Sequence, residues 1–268
     1  MKKIISKKIG EKISKKININ NIVLAKNDNK MIYLKKQDRK KGLLVLGETD
    51  SGTLTHIILP MIFQDLKKEN AKVIFYNPTL CFCERVQKAG KLLNKKTLIL
   101  NKEEDIPTNF EDYDLYIIYG KREVNKDKGI MFEKEMTERI FQYILKNEKT
   151  KKHLNNNIYL YLTEVQNVYN ERINRIYNKI NLTISTSNFS YLNKDFYNFV
   201  LENFKNFVVL TNQDREIKVF LNKLNNDIYF KNLKFKEILY ITNSSNYGIA
   251  QILKTTDCLL KKIENVVL

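Results

Sequence analysis

A chain of 268 residues is long enough to bury a full hydrophobic core, and with 8 Gly, 3 Pro and no Pro/Gly/Ser-rich linker it needs no second, separate domain. No run approaches the ~18 apolar residues of a membrane span, and Met1–Lys16 is too charged for a signal peptide, so the expectation is a cytoplasmic chain with no transmembrane span. A net charge of +17 points to an anionic partner such as nucleic acid or an acidic membrane face, although Lys, Asn and Ile rising together also fits an AT-rich genome.

Met1–Lys16 sets seven Lys against one Glu and repeats Ile at positions 5, 9 and 13. This is a short basic amphipathic segment, broken by Gly10, suited to a partner, a membrane surface or DNA, or else a frayed terminus. The expected division is a basic segment over 1–19, a main domain over 20–225 and a C-terminal hairpin and helix over 226–268 packed on that domain. Asn20–Ala25 and Met31–Lys35 read as strands of a hairpin around the polar turn Lys26–Lys30. Leu43–Leu46 is a buried strand, Gly47–Gly52 a tight turn and Leu54–Glu69 a helix kinked at Pro60, with Ile57, Ile58, Met61, Ile62 and Leu66 at helical spacing.

Lys72–Tyr76 reads as a strand ending at Asn77-Pro78, Leu80–Leu93 as a helix, and Thr97–Leu100 and Leu115–Tyr119 as strands. Gly129–Asn147 is a long amphipathic helix running into a Lys-rich loop, Lys149–His153. Ile158–Leu162 is a strand, followed by Glu171–Asn178, a strand at Leu182–Ser185 and a polar strand end at Thr186–Ser190. Tyr191–Phe204, Phe207–Leu210 and Gln213–Leu224 continue the helix and strand alternation. Ile238–Thr242 and Ile249–Leu253 form a hairpin, and Asp257–Glu264 a short helix. Alternation of this kind predicts a mostly parallel sheet covered on both faces.

Strand, glycine-bracketed turn and helix are the parts of a phosphate cradle. In G-x-x-x-x-G-K-[ST] backbone N–H groups hold the phosphates, Lys neutralises them and the Ser/Thr hydroxyl holds magnesium. Gly47 and Gly52 are in register, but Thr53 stands for the Lys and Leu54 for the magnesium ligand. Asp50 adds a carboxylate to the turn, and two like charges ~4 Å apart repel by about 4 kcal/mol at an effective dielectric near 20. Thr49, Asp50 and Ser51 are good capping residues, so self-capping of the helix is the favoured reading. Thr55, one position late, supplies a hydroxyl only if the register slips.

In Ile158–Asn167 a run of five apolar residues ends in Thr163-Glu164. A pair of acids at such a strand end is the usual site for magnesium and water activation; here Glu164 stands alone, a helix cap at least as often as a general base. Cys81, Cys83 and Cys258 are expected in the core rather than on a metal, and His56 and His153 on a helix surface or loop. No metal site is expected.

GLLVLGETDSGTLTHIILPMI, AKVIFYNP (Ala71–Pro78), YLYLTEVQNV, NLTISTSNFSYL and ENFKNFVVLTNQDREIKVFL occur in one order. In that order, over roughly Gly42–Asn225, the chain resembles the coupling-protein (TraG/TraD-like) ATPases of conjugative type IV secretion, within the FtsK/HerA superfamily. The final hairpin is similar to that of the secretion ATPase that energises pilus assembly. The resemblance implies an α/β, RecA-like P-loop domain, a mostly parallel central sheet with helices on both faces.

It also implies what is missing. Thr53 stands for the catalytic Lys, Leu54 for the magnesium Ser/Thr, Asn77 for the Asp of the second motif, Thr163 for the Walker B Asp and Ser187 for the sensor Gln. Glu164 keeps its identity, as the catalytic candidate, and Arg172 or Arg175 matches the arginine-bearing segment; the family's transmembrane anchor is missing. The expectation is a retained scaffold with a vacated active site, a pseudo-ATPase that serves a DNA-translocation apparatus as an accessory or partner-binding subunit. Its partners would be an active ATPase or secretion and DNA-transfer components, with non-specific DNA and a membrane-surface contact through the N-terminal segment. No cofactor is expected. ATP and magnesium enter only in the alternative, an active DNA-translocating ATPase that uses displaced ligands such as Thr55 and Glu164; a protein-binding scaffold without a nucleic-acid role is the third reading.

Overall fold

The computed structural model describes residues 21–27, 30–47, 51–101, 112–120, 124–149, 157–169, 171–187, 192, 194–210, 215–224, 233–234, 236–243, 246–253 and 261–266. The chain begins with a hairpin, β1 (Ile22–Asn27) and β2 (Lys30–Leu34), then a four-residue helix α1 (Lys36–Arg39) and β3 (Leu43–Leu46). A π-turn over Thr53–Ile58 leads into α2 (Leu59–Leu66), followed by β4 (Lys72–Tyr76), α3 (Leu80–Leu92), β5 (Thr97–Leu100) and β6 (Leu115–Ile118). Next come α4 (Lys126–Lys149), β7 (Ile158–Thr163), a 3-10 turn at Val165–Asn167, α5 (Ile173–Ile176) and β8 (Asn181–Thr186). The last elements are α6 (Lys194–Asn203), β9 (Asn206–Val209), α7 (Arg215–Leu224), β10 (Glu237–Thr242) and β11 (Asn246–Gln251).

All of these strands join one sheet in the order β2-β1-β11-β10-β9-β3-β8-β7-β4-β6-β5, so β3 has five strands on either side. From β9 to β5 every neighbour is parallel; from β9 out to β2 every neighbour is antiparallel. The division follows the connections. Helical crossovers return the chain in the same direction within the parallel half and the short links β1–β2 and β10–β11 reverse it, while the passage from β9 through α7 to β10 also reverses the chain and begins the antiparallel half. The fold is therefore α/β, with a mixed, largely parallel sheet flanked by helices, and β3 lies at its centre as expected.

Side-chain alternation divides the core into two layers. Leu44, Leu46, Leu160, Leu162 and Ile184 meet Phe141 and Ile144 of α4, Phe196 of α6 and Phe220 of α7 on one face. Leu43, Val45, Val73, Phe75 and Tyr161 meet Ile62 and Leu66 of α2, Val86 and Ala89 of α3, and Ile22 and Leu34 of the first hairpin on the other. Burial on both faces is why LLVL and LYII are unbroken apolar runs, with nothing in their pattern to mark an outer side.

The first hairpin forms the far end of the sheet, joined to β11 through the pair Lys26↔Gln251. Gln64 of α2 steadies it: its Oε1 accepts the Val23 N–H at 2.9 Å and its Nε2 donates to the Val23 carbonyl at 3.1 Å, as a neighbouring strand would. Pro60 does not kink a helix over Leu54–Glu69. It sits at the second position of α2, where its missing N–H costs nothing, and the irregularity lies ahead of it, where the Leu59 N–H reaches the Leu54 carbonyl, an i→i+5 bond. Of the short helix read at Asp257–Glu264, residues 261–264 are helical and 254–260 lie outside the described residues.

A charged cluster is sealed between α1, α2 and β7. Asp65 takes both of its oxygens to Arg39 Nη1, at 2.6 and 2.8 Å, and accepts from Lys68 Nζ at 2.7 Å and from the Tyr161 hydroxyl. Arg39 Nη2 donates to Tyr161 at 3.1 Å, and both cations lie over the Tyr159 ring. Arg39 and Asp65 are 2% and 0% exposed, so the pair stands on mutual hydrogen bonding rather than solvent. Burial disfavours charge on Arg39, but Asp65 more than offsets it and holds the guanidinium above its ordinary value. Lys68 is lowered by burial in spite of Asp65.

The tyrosines make the fold sensitive to base. Burial, reinforced by Asp65, holds Tyr161 well above 10.0 and pushes Tyr159 up to about 12; burial also raises Tyr116. Above pH 10 the unfolded chain loses these protons and the folded one keeps them, so stability falls as pH rises, by about 1.4 kcal/mol per pH unit for each such phenol. Lys68 acts the other way, its penalty relieved as pH climbs toward 10.5, above which it adds no further slope. Urea midpoints are therefore expected to drop above pH 10, less steeply in Tyr161→Phe.

The start of β3 is fixed from β9. Asn206, fully buried, donates from Nδ2 to the carbonyls of Asp38 at 2.7 Å and Gly42 at 2.8 Å, and its Oδ1 accepts the Asn243 N–H at 3.1 Å. Gly42 has φ +71°, and a Cβ there would lie 2.7 Å from the Phe204 ring, so both backbone and space require glycine.

Candidate functional site

Parallel strands end on the same edge. The register pairs Leu46 with Thr186, Thr163 with Ser185 and Tyr76 with Leu162, which brings Gly47, Ser187, Thr163-Glu164 and Asn77 to neighbouring strand ends. β8 stands between β3 and β7. The start of the loop after β3 and the strand-end acid are thus placed on one edge of the sheet, the edge at which α/β sheets bind ligands.

The described ends of the loop, Gly47 and Ser51–Thr53, lie against one another. Gly52, at φ +86°, opens the π-turn with the His56 N–H on its carbonyl at 2.7 Å. Ser51 Oγ and Thr53 Oγ1 hydrogen-bond to each other at 2.9 Å, and each lies 2.3 Å from where a Cβ on Gly47 would be. Thr55 Oγ1 donates to the Gly52 carbonyl at 3.3 Å. Ser51 does not stand at the cap position, which falls on Gly52 and has no side chain to offer; the Ser51 hydroxyl is bonded to Thr53 instead. Thr49 and Asp50 lie outside the described residues. Leu54, at the position of the magnesium ligand, packs on the core and lines a small apolar gap with Phe75, Phe82 and Val86.

Asn77 and Thr163 satisfy each other. Asn77 Nδ2 donates to Thr163 Oγ1 at 2.7 Å, Thr163 Oγ1 donates to the Tyr76 carbonyl at 2.7 Å, and Asn77 Oδ1 accepts the Thr79 N–H at 2.7 Å. Each is 1% exposed. Carboxylates at both positions would face one another within hydrogen-bond distance, so the two neutral residues form a matched pair that needs no cation between them.

Glu164 has φ +50°, a backbone conformation that a side chain rarely adopts. It stands at the cap position of the 3-10 turn but makes no side-chain cap bond, so the cap reading does not hold. Its Oε2 accepts instead from Gln166 Nε2 at 2.6 Å and from Ser187 Oγ at 3.2 Å, while Gln166 Oε1 accepts from Thr186 Oγ1 at 3.3 Å. The Walker B-like and sensor-like positions are thereby bonded directly. Arg172 pairs with Glu138 of α4, and Arg175 is exposed on α5.

Two residues at this edge were missed from sequence, Gln166 and Glu133. Glu133, fully buried, accepts the Tyr76 hydroxyl at 2.8 Å and the Gly120 N–H at 3.1 Å, tying the ends of β4 and β6 to α4. Its position was readable, since Met136 and Ile140 follow at three and seven residues on one buried stripe. Cys83 is buried as expected, whereas Cys81 is exposed, because α3 turns that side outward. His56 is half-buried in the π-turn, its ring against Gly52; His153 and Cys258 lie outside the described residues. Among the described residues no group of three His, Cys, Asp or Glu is placed to hold a metal, and no helix is long and apolar enough to cross a membrane.

Solved structures share this architecture. The cytoplasmic domain of the type VII secretion ATPase EccC from Thermomonospora curvata superposes with a TM-score of 0.50 at 13% identity, over 87% of this chain and 26% of that one. The fold is RecA-like. The conjugation coupling protein TcpA of pCW3, in its monomer form with ATPγS, gives 0.49 at 12% identity over 91% of this chain and 70% of that one. The genome packaging NTPase B204 of Sulfolobus turreted icosahedral virus 2, in complex with AMPPCP, gives 0.47 at 12% over 80% and 99%. At such identities the likeness is one of fold. No protein-family model and no curated protein matches the chain.

Proposed function

We propose that this RecA-like chain is a pseudo-ATPase, a non-catalytic accessory subunit of a DNA-transfer or secretion apparatus that works through protein partners at the inner face of a membrane. The observation that carries the reading is the bond between the Ser51 and Thr53 hydroxyls, which lie against Gly47 where the loop begins. Phosphoryl transfer depends on positioning and on neutralising charge as it develops. Here the Lys position is Thr53, the magnesium position is the partly buried, apolar Leu54, and the strand-end pair Asn77–Thr163 is neutral. The order of motifs across Gly42–Asn225 supports the DNA-transfer setting.

Calorimetry with ATP, with and without magnesium, is expected to give no binding heat, and hydrolysis is expected at background in the wild type and in Glu164→Gln alike. Magnesium-dependent turnover that disappears in Glu164→Gln would replace this reading with that of a motor using displaced ligands. Thr55 bonded to Gly52 and Glu164 bonded to Ser187 stand against that outcome.

A further inference from the structure

The basic excess is not spread along the chain. Residues 1–41 hold fourteen Lys and Arg against three Asp and Glu, a net of +11, which leaves only +6 for the other 227 residues. A genome-wide drift toward Lys would raise the whole surface evenly, and this does not. The described part of that stretch lines a cleft of about 530 Å³ formed by Asn21, Lys35, Lys36, Gln37 and Lys40. Because α1 immediately precedes β3, the cleft opens on the edge of the sheet opposite the Gly47 loop. The cleft is cationic for a structural reason: Arg39 is turned inward onto Asp65, and Asp38 is buried, 4.0 Å from Lys41 Nζ. No acid is among its described lining residues. Asn206 and the Arg39 cluster fix α1 from below, so the lysines sit on a held backbone.

We infer that this cleft is a docking site for the phosphate backbone of a nucleic acid. Ammonium groups are point charges suited to phosphate, and the Asn21 and Gln37 amides add hydrogen bonds to phosphate or sugar without reading bases. An acidic membrane presents a flat layer, met best by protruding cations beside apolar side chains that dip into it. Here the lysines line a recess, and its described lining holds no apolar residue. The site stands whether or not the Gly47–Thr55 loop holds nucleotide.

The test is fluorescence anisotropy of the full chain with a labelled mixed-sequence DNA duplex over a salt series, beside flotation with phosphatidylserine vesicles. Each neutralised phosphate contributes a slope of about −0.9 in log affinity against log salt. The triple variant Lys35→Ala/Lys36→Ala/Lys40→Ala is expected to bind about tenfold or more weakly at low salt, with a slope shallower by about 2 to 3. Lys128→Ala/Lys134→Ala/Lys146→Ala removes the same charge from exposed positions of α4, on the other face, and should shift the slope by less than about 1. Gln37→Glu, one exposed substitution, should weaken binding in the same direction and guards against a triple variant that fails to fold. Equal losses in both triples, no loss in the cleft variants, or vesicle binding that needs the cleft lysines while DNA binding does not, would each overturn the assignment. None of these results bears on nucleotide binding, so the pseudo-ATPase reading stands or falls separately.

Discussion

Asp65→Ala is expected to lower the free energy of unfolding by about 3–5 kcal/mol. Asp65, fully buried, accepts from Arg39, Lys68 and the Tyr161 hydroxyl, and among the described residues it is the one carboxylate paired with the two cations. Removing it leaves a guanidinium and an ammonium side by side, each desolvated, over one tyrosine ring. Lys68→Met should cost much less, because the Arg39–Asp65 fork survives. Replacing the set together, Arg39→Met/Asp65→Leu/Lys68→Met, should recover most of the loss, since apolar residues of similar volume carry no desolvation penalty. Urea unfolding of the three variants checks the order.

Asn206→Ala is expected to cost about 1–3 kcal/mol, because one buried side chain serves three backbone groups. A buried backbone group left without its partner costs about 1–3 kcal/mol, and the losses are not additive. The Gly42 carbonyl would lose this partner inside the fold, whereas the Asp38 carbonyl keeps the Lys41 N–H and the exposed Asn243 N–H can turn to water. Since Asp38 lies within α1, the same substitution should loosen the lysine cleft and weaken its binding of DNA. Faster hydrogen exchange at the Asn243 amide, beyond the change in global stability, identifies the cause as local.

Every strand of the sheet was legible in the sequence, most clearly those of the parallel half such as β3 and β6, where burial on both faces makes a bare apolar run bounded by polar turns. The largest offset is at β11, which runs Asn246–Gln251 rather than Ile249–Leu253: Asn246, Tyr247 and Gly248 pair by backbone with Tyr240 to Thr242, and no side-chain pattern announces it. The place of the first hairpin was not legible, since it depends on a single pair with β11 and on the Gln64 amide, contacts between residues far apart in sequence. α1 was missed because four residues carry no period. At the site, the strand ends carrying Gly47, Asn77, Thr163, Glu164 and Ser187 followed from motif order. Their mutual bonding did not, because Asn77 to Thr163 spans 86 residues and Glu164 to Ser187 spans 23.

The π-turn over Thr53–Ile58 has a meaning in residue length. A turn closed from Leu54 to Leu59 holds one residue more than an α-helical turn would need. Deleting Leu54 would let that stretch wind as an ordinary helix and would set Thr55 directly after Thr53. That is the position where G-x-x-x-x-G-K-[ST] keeps its magnesium-binding hydroxyl. A widened turn of this kind accommodates one extra residue ahead of Thr55 without displacing the helix that follows. Comparison of the loop by residue count alone sets Leu54 against the hydroxyl, whereas alignment through the widened turn sets Thr55 there.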